Sequence, residues 1–245
     1  KREASGNYSI RFPSMYKDKK ILCIIPARGG SRRLPGKNIK LLNGVPLIGY
    51  AIRAAKGSQY VDTVIVSTDD EEIARVAREQ GADMPFMRPT ELASDTATTL
   101  PVLEHAVGFL EEKGLHFDLI LLIQPTVPGV ESHDVDAAIE KLVVTGANSC
   151  VSVCEIVERP EWMYRMGEGA RVTPYVETTV THSQDMEKLY RVNGAVYVMT
   201  HDTVMKRHLI RDNESCVAVM MPMERSTDID TPMDFIIAET LLTKP

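Results

Sequence analysis

An α/β fold is predicted by two features of the 245-residue sequence. Short, nearly continuous apolar runs alternate with segments of helical periodicity, and the first apolar run ends in a glycine-rich, strongly basic loop. Strand-like runs separated by helices of this length mean βαβ units and a mostly parallel sheet. Right-handed crossovers then place helices on both faces. In such sheets ligands bind beyond the carboxyl ends of the strands, which is where the basic loop falls.

The elements follow in order. KILCIIPA (20–27) reads as a strand buried on both faces. PLIGYAIRAAKGS (46–58) is apolar at helical spacing, and DTVIVST (62–68) is a second buried strand. In DDEEIARVAREQGA (69–82) the early acids favour a helix N-terminus and Gly81 suits its C-terminal cap. A helix is expected over 96–114 with Pro101 in its first turns, then a strand at DLILLIQP (118–125) and a helix over 130–147. SCVSVCEI (149–156) is strand-like, and there the rhythm breaks. Residues 158–190 are polar and turn-rich, hold the only Trp, and read as an arm leaving the sheet. Strands resume at NGAVYVMT (193–200) and CVAVMMP (216–222), with a last helix over 230–242. The expected organisation is a tail (1–19) and one domain (20–245) carrying the arm at 155–190.

The chain carries 34 acidic against 28 basic residues, a net charge of −6. That balance argues against general nucleic-acid binding, for which a basic domain is expected. No run approaches the ~18 apolar residues of a membrane helix, and 1–20 holds no apolar core of signal-peptide length. The expectation is a soluble, cytoplasmic protein. Cys23, Cys150, Cys154 and Cys216 are scattered, mostly in strand-like runs, and read as structural thiols in a reducing compartment.

Against that acidic background, IIPARGGSRRLPGKNIK (24–40) concentrates Arg28, Arg32, Arg33, Lys37 and Lys40 with three glycines and no carboxylate. Backbone N–H groups of a glycine-rich turn together with cationic heads suit a polyphosphate. Neither G-x-x-x-x-G-K-[ST] nor G-x-G-x-x-G is present, which weakens kinase-like and hydride-transfer readings, and no G-x-S-x-G elbow supports a hydrolase. In STDIDTP (226–232), Asp228 and Asp230 lie two apart and face one way in an extended segment, a pair that suits Mg²⁺. Capping by Asp230 or Thr231 before Pro232 is the competing reading, and it leaves Asp228 unexplained. In RPTELASDTATT (88–99), Ser94 or Asp95 reads as a helix N-cap, with a loop reaching a base or sugar as the alternative. Gln124 ends a buried strand, where its amide could face a ligand or be satisfied by the turn at Pro125. The six histidines form no metal-ligand spacing.

Taken together, IIPARGGSRRLPGKNIK, VPLIGYAI, VIVSTDDEEIA, RPTELASDTATT, LLIQPTVP, YRVNGAVYV and STDIDTPMDF resemble the cytidylyltransferases that activate nonulosonic (sialic-type) acids, over about Ile21 to Leu242. The resemblance implies a Rossmann-like nucleotidyltransferase fold, a homodimer whose arm crosses to its partner, and Mg²⁺ (or Mn²⁺) as cofactor. It implies transfer of CMP from CTP to a nine-carbon sugar acid, with pyrophosphate released. Arg28, Lys37 and Asp228 would be catalytic. The nucleotide would meet Ala27, Arg28, Gly29, Gly30, Ser31, Lys37, Asn38, Arg88 and Ser94. The sugar would meet Gln124, Thr126, Gln184, Tyr190 and Asn193, and Asp228 and Asp230 would hold the metal.

Three departures lie toward the sugar. The family's QPTSPLR becomes QPTVPGV (124–130), losing a Ser and, at Val130, the Arg. Its RQ followed by Pro becomes Ser183-Gln184 with Glu187, and its arm lysine falls near Trp162 in ERPEWM. They imply a sugar other than N-acetylneuraminate, such as a 5,7-diamino acid of the legionaminate type. The rival readings are an eight-carbon (Kdo-type) sugar-acid cytidylyltransferase and a non-catalytic nucleotide-binding dimer.

Overall fold

The computed structural model describes residues 18–94, 96–177 and 187–242. The chain runs β1 (Ile21–Pro26), a short pair β2 (Leu41–Leu42) and β3 (Val45–Pro46), α1 (Leu47–Gly57), β4 (Thr63–Ser67), α2 (Glu71–Glu79), α3 (Thr99–Glu111) and β5 (Leu119–Ile123). It continues with α4 (Ser132–Thr145), β6 (Ser149–Glu155), β7 (Tyr164–Met166), β8 (Val172–Pro174), β9 (Tyr190–Thr200), α5 (His201–Met205), β10 (Cys216–Met220) and α6 (Pro232–Leu241).

Six strands form the central sheet in the order β10-β6-β9-β5-β1-β4. β4, β1 and β5 run parallel to one another, as do β6 and β10. Only β9 is antiparallel, to both β5 and β6, so the sheet is mostly parallel with one reversed strand near its centre. The direction of β9 is set by the arm that delivers it, which the strand's own residues do not encode. Side chains of α1, α2 and α4 pack on one face of the sheet, and those of α3 and α5 on the other. A third cluster (Leu34, Leu42, Leu47, Ile229, Phe235, Ala238) seats α6 against the basic loop and the β2–β3 pair, neither of which had been assigned a partner from sequence.

Local chemistry accounts for the ends. Asp70 caps α2 by accepting from the amides of Glu72 and Ile73 at 2.8 and 3.0 Å, and Gly81 takes φ +88° after it. The helix expected over 96–114 is shorter, Thr99–Glu111, with Thr98 at its cap position, so Ser94 is not its cap; Asp95, the other residue read as a cap, lies outside the described residues. At α6 the cap is Thr231, in a reciprocal box with Asp234, with Pro232 in the first turn. Asp230 is thereby released from capping.

The β6–β9 ladder shifts register between Val151 and Val153, and a buried polar knot sits at the shift. The Ser152 hydroxyl donates to Asn193 Oδ1 (2.6 Å) and accepts from Val196 N (2.8 Å), while Asn193 Nδ2 donates to Ser226 Oγ (2.8 Å). Asn193 is 1% exposed, and Gly194 beside it takes φ +83°. Asn193→Ala strands buried partners and should cost about 2 kcal/mol, read as a lower midpoint in urea unfolding with an unchanged slope; an unaltered midpoint would show that the knot contributes nothing.

Candidate active site

The loop following β1, the chain from Arg88 into the start of α3, and the loop following β5 meet Asp230 around a cleft of about 500 Å³. Arg28, Arg32, Arg33, Lys37 and Arg88 line it, with Asp230 the one carboxylate among the described lining residues.

The basic loop is held by its own backbone. Ala27 N donates to Ser67 O at 2.9 Å, extending the β1–β4 pairing, and the Ala27 side chain is buried in the core and does not line the cleft. Gly29 N donates to Asp69 Oδ1 at 3.1 Å, and a Cβ on Gly29 would stand 2.7 Å from Asp70 Oδ2, so a side chain is excluded there. Gly36 turns the chain at φ +65° into a single 3₁₀ turn, Lys37–Ile39. From that turn Asn38 Nδ2 donates back to Arg28 O at 3.0 Å. Arg28 Nη1 donates to Ser94 O at 3.1 Å, drawing the 90–98 segment over the cleft. Gly29 and Gly30 border an adjoining hollow of about 400 Å³ that shares Arg28, Ser31 and Ser94 with the cleft.

Arg88 is buried. Its Nε donates to Ser67 Oγ at 3.0 Å and its Nη2 to Ser67 O. Burial pushes its pKa down to about 10, against the pull of Asp69, and the neighbouring Arg28 pushes the same way. Two guanidinium groups thus face one space with partial compensation, an arrangement an anion relieves.

At the opposite wall, Gln124 and Thr126 line the cleft. Ile229 N donates to Thr126 O at 2.8 Å, docking the 226–231 segment beside β5. Ile229 is buried in the α6 cluster, so its neighbours Asp228 and Asp230 turn the other way. Lys37 Nζ donates to Ile229 O (2.6 Å) and Asp230 Oδ1 (3.0 Å), and Arg33 Nη2 lies 3.5 Å from Asp230 Oδ2. Asp228 keeps a solvent-accessible face although protein surrounds it on its other sides. Desolvation pushes its carboxyl above the usual range, Asp230 adds to that push, and Thr126, Lys37 and Arg191 oppose it. The Thr126 hydroxyl is buried without a partner at good hydrogen-bonding geometry, although it stands near enough to Asp228 to favour its charged form.

Of the residues expected from sequence, Arg28, Ser31, Lys37, Asn38, Arg88, Ser94, Gln124, Thr126 and Asp230 line the cleft. Asp228 adjoins it beside Asp230, and Gly29 and Gly30 face the adjoining hollow. Tyr190 and Asn193 do not line it. Tyr190 is exposed at the start of β9, and both polar atoms of Asn193 are spent in the Ser152–Ser226 knot. Gln184 lies outside the described residues. Sequence reasoning passed over Asp69, which holds Gly29 and opposes Arg88's desolvation, and Arg191, whose Nη2 donates to Ser226 O at 3.1 Å. Asp69 reads from sequence only as one of several helix-start acids, and Arg191 only as part of a strand.

Residues 22–233 match the family model described as Cytidylyltransferase. A CMP-N,N'-diacetyllegionaminic acid synthase of Legionella pneumophila is 34% identical over 91% of this chain and 96% of its own length. A pseudaminic acid cytidylyltransferase of Campylobacter jejuni is likewise 34% identical, over 91% of this chain and 96% of its own. An N-acylneuraminate cytidylyltransferase of Escherichia coli is 30% identical over 92% of this chain but only 52% of its own. Among solved structures, a CMP:2-keto-3-deoxy-manno-octonic acid synthetase superposes with a TM-score of 0.69 at 16% identity, covering 91% of this chain and 98% of that one, and so shares the fold. With the family model spanning most of the chain, and the cationic cleft at the carboxyl ends of its strands, the chain belongs to the cytidylyltransferase family.

Proposed function

We propose that this chain transfers CMP from CTP to the anomeric hydroxyl of a nonulosonic acid, releasing pyrophosphate. The convergence of five cationic side chains on one cleft, with a carboxylate pair at its edge, carries this reading. The anomeric oxygen attacks the α-phosphorus in line as the bond to the pyrophosphate oxygen breaks, and the hydroxyl proton passes to solvent water. Such a transfer asks the protein mainly for positioning and charge neutralisation. Arg28 and Lys37 meet the phosphates, Arg88 and the 90–98 segment lie toward the nucleoside, and Gln124 and Thr126 face the sugar acid. The two relatives matched over nearly their whole length are named for diacetyllegionaminic and pseudaminic acid, which supports a diamino nine-carbon acid over N-acetylneuraminate.

Asp228 and Asp230 fit a divalent cation such as Mg²⁺ or Mn²⁺. Two adjacent carboxylates, one of them held above its ordinary pKa by desolvation and by the other, are a donor set that added positive charge stabilises. Bound there, the cation supplies charge to set against phosphate oxygens. Lys37, already on Asp230, links the phosphate loop to that pair.

The assembly proposed is a homodimer joined through the arm. In the β7–β8 hairpin, Tyr164 (59% exposed), Met166 (77%) and Val172 (55%) are left bare, with Trp162 and Tyr175 alongside. A two-stranded hairpin is marginal by itself, and its apolar, aromatic-bearing surface suits an interface with a second copy. The four cysteines are free, which suits a reducing, cytoplasmic compartment. No helix among the described residues is long and apolar enough to cross a membrane.

Purified protein with CTP and Mg²⁺ should release pyrophosphate with legionaminate or pseudaminate at higher kcat/KM than with N-acetylneuraminate or the eight-carbon acid. Release with none of the four would overturn the reading. Arg28→Ala should lower kcat about 100-fold while leaving the fold intact, as judged by circular dichroism.

Asp228→Asn should abolish turnover. Without metal it should be at least as stable as wild type at pH 7, because the folded pKa of Asp228 is raised and its charge is a cost to the native state. That cost vanishes as pH falls through the raised value toward the ordinary one, so the small gap in Tm should close on acidification. A large fall in Tm at pH 7 would instead make Asp228 a structural residue.

A further inference from the structure

The segment carrying Asp228 and Asp230 has no regular secondary structure, so something must fix it against the β5 corner. Arg225, immediately before it, is not part of the cleft and has no role in the reaction derived above. Its Nη1 donates to Gly129 O (3.0 Å) and Asp134 Oδ2 (2.5 Å), and its Nη2 to Asp134 Oδ1 (2.9 Å). Asp134 is 4% exposed and is itself held at the start of α4 by accepting from Glu131 N at 2.9 Å. The forked pairing fixes orientation as well as distance.

The backbones are equally close. A Cβ on Gly129 would lie 2.3 Å from Arg225 O and 2.7 Å from its Cα, so glycine is required for the two segments to touch.

We propose that Arg225 is a positioning residue that clamps the Asp228–Asp230 segment to the Gln124–Thr126 corner through Gly129 and Asp134. Its effect falls on the carboxylate pair. One side of the joint is the chain carrying Gln124 and Thr126, and the other, three and five residues on, is the chain carrying Asp228 and Asp230. The proposal rests on the metal-assisted reading above. Losing the clamp leaves the segment tied only through Thr126, Lys37 and the Ser226 contacts, which loosens the carboxylates relative to the Gln124–Thr126 corner while leaving the Arg28 and Arg88 wall intact.

The test is Mn²⁺ binding to the full chain, titrated by electron paramagnetic resonance with CTP present, for wild type, Arg225→Lys and Arg225→Ala. Asp136→Ala serves as a control, since it breaks another buried carboxylate network, to Ser58 and Gln59, away from the cleft. CTP binding in EDTA is measured in parallel. Arg225→Ala should weaken Mn²⁺ about tenfold or more, the loss typical when groups supporting metal ligands are removed. CTP binding in EDTA should be unchanged. Arg225→Lys, which keeps the charge but not the fork, should fall between, and it decides the matter should Arg225→Ala not fold. Equal Mn²⁺ affinity in wild type and both Arg225 variants overturns the clamp alone, as does an equal loss in Asp136→Ala. A wild type that binds CTP but no Mn²⁺ overturns the metal reading and the clamp with it.

Discussion

The ammonium of Lys37 joins two parts of the chain separated by 192 residues, and the shape of the cleft depends on that joint. Lysine is rarely buried unless it is paired. Once Gly36 turns the basic loop inward and Leu34 enters the apolar cluster with Ile229 and Phe235, the Lys37 head must find oxygen atoms nearby. Ile229 O and Asp230 Oδ1 supply them. Apolar packing and charge pairing therefore agree on one placement of the 226–231 segment. The cations of the basic loop and the carboxylate pair become parts of one structure.

The reversed strand has a consequence for the same end of the molecule. A parallel β9 would need a crossover carrying the chain back to the amino-terminal ends of the strands. Antiparallel, β9 starts on the side where β5 and β6 end, so the arm leaves and re-enters beside the cleft. Residues at the start of β9 can then support the site from behind. Arg191 donates to Ser226 O, and Asn193 to Ser226 Oγ. The buried Ser152–Asn193–Ser226 knot ties three segments distant in sequence, and it demands full satisfaction because none of its atoms can turn to water.

Much of this was legible in the sequence because it is local. Apolar runs bounded by turn residues marked β1, β4 and β5, and the Gly81 and Thr231 signals are each about a turn long. The basic loop could be placed at a ligand site because position beyond a buried strand is itself a topological statement. What escaped is non-local. Nothing within NGAVYVMT states its direction, and nothing in RPTELASDTATT distinguishes a helix cap from a segment held by Arg28 through Ser94 O. Asn193 has the chemistry of a ligand contact, and only its neighbours across the sheet show that its amide is consumed. Arg225 and Gly129 are unremarkable singly and acquire meaning as a pair in contact.

Within the cleft the cations divide their work by burial. The Arg33 side chain is 71% exposed, and charges of that kind act over distance, drawing an anion inward with a strength that salt screens within about 10 Å. Arg88 is fixed by Ser67 and stripped of water before any ligand arrives. Its interaction with an anion is therefore little screened, and the cost of removing its water is already met in folding. Folding tolerates that cost because Ser67 and Asp69 offset part of it, leaving Arg88 under-compensated beside Arg28. For the triphosphate proposed above, the exposed cations would govern how fast it arrives and the buried one how firmly it stays.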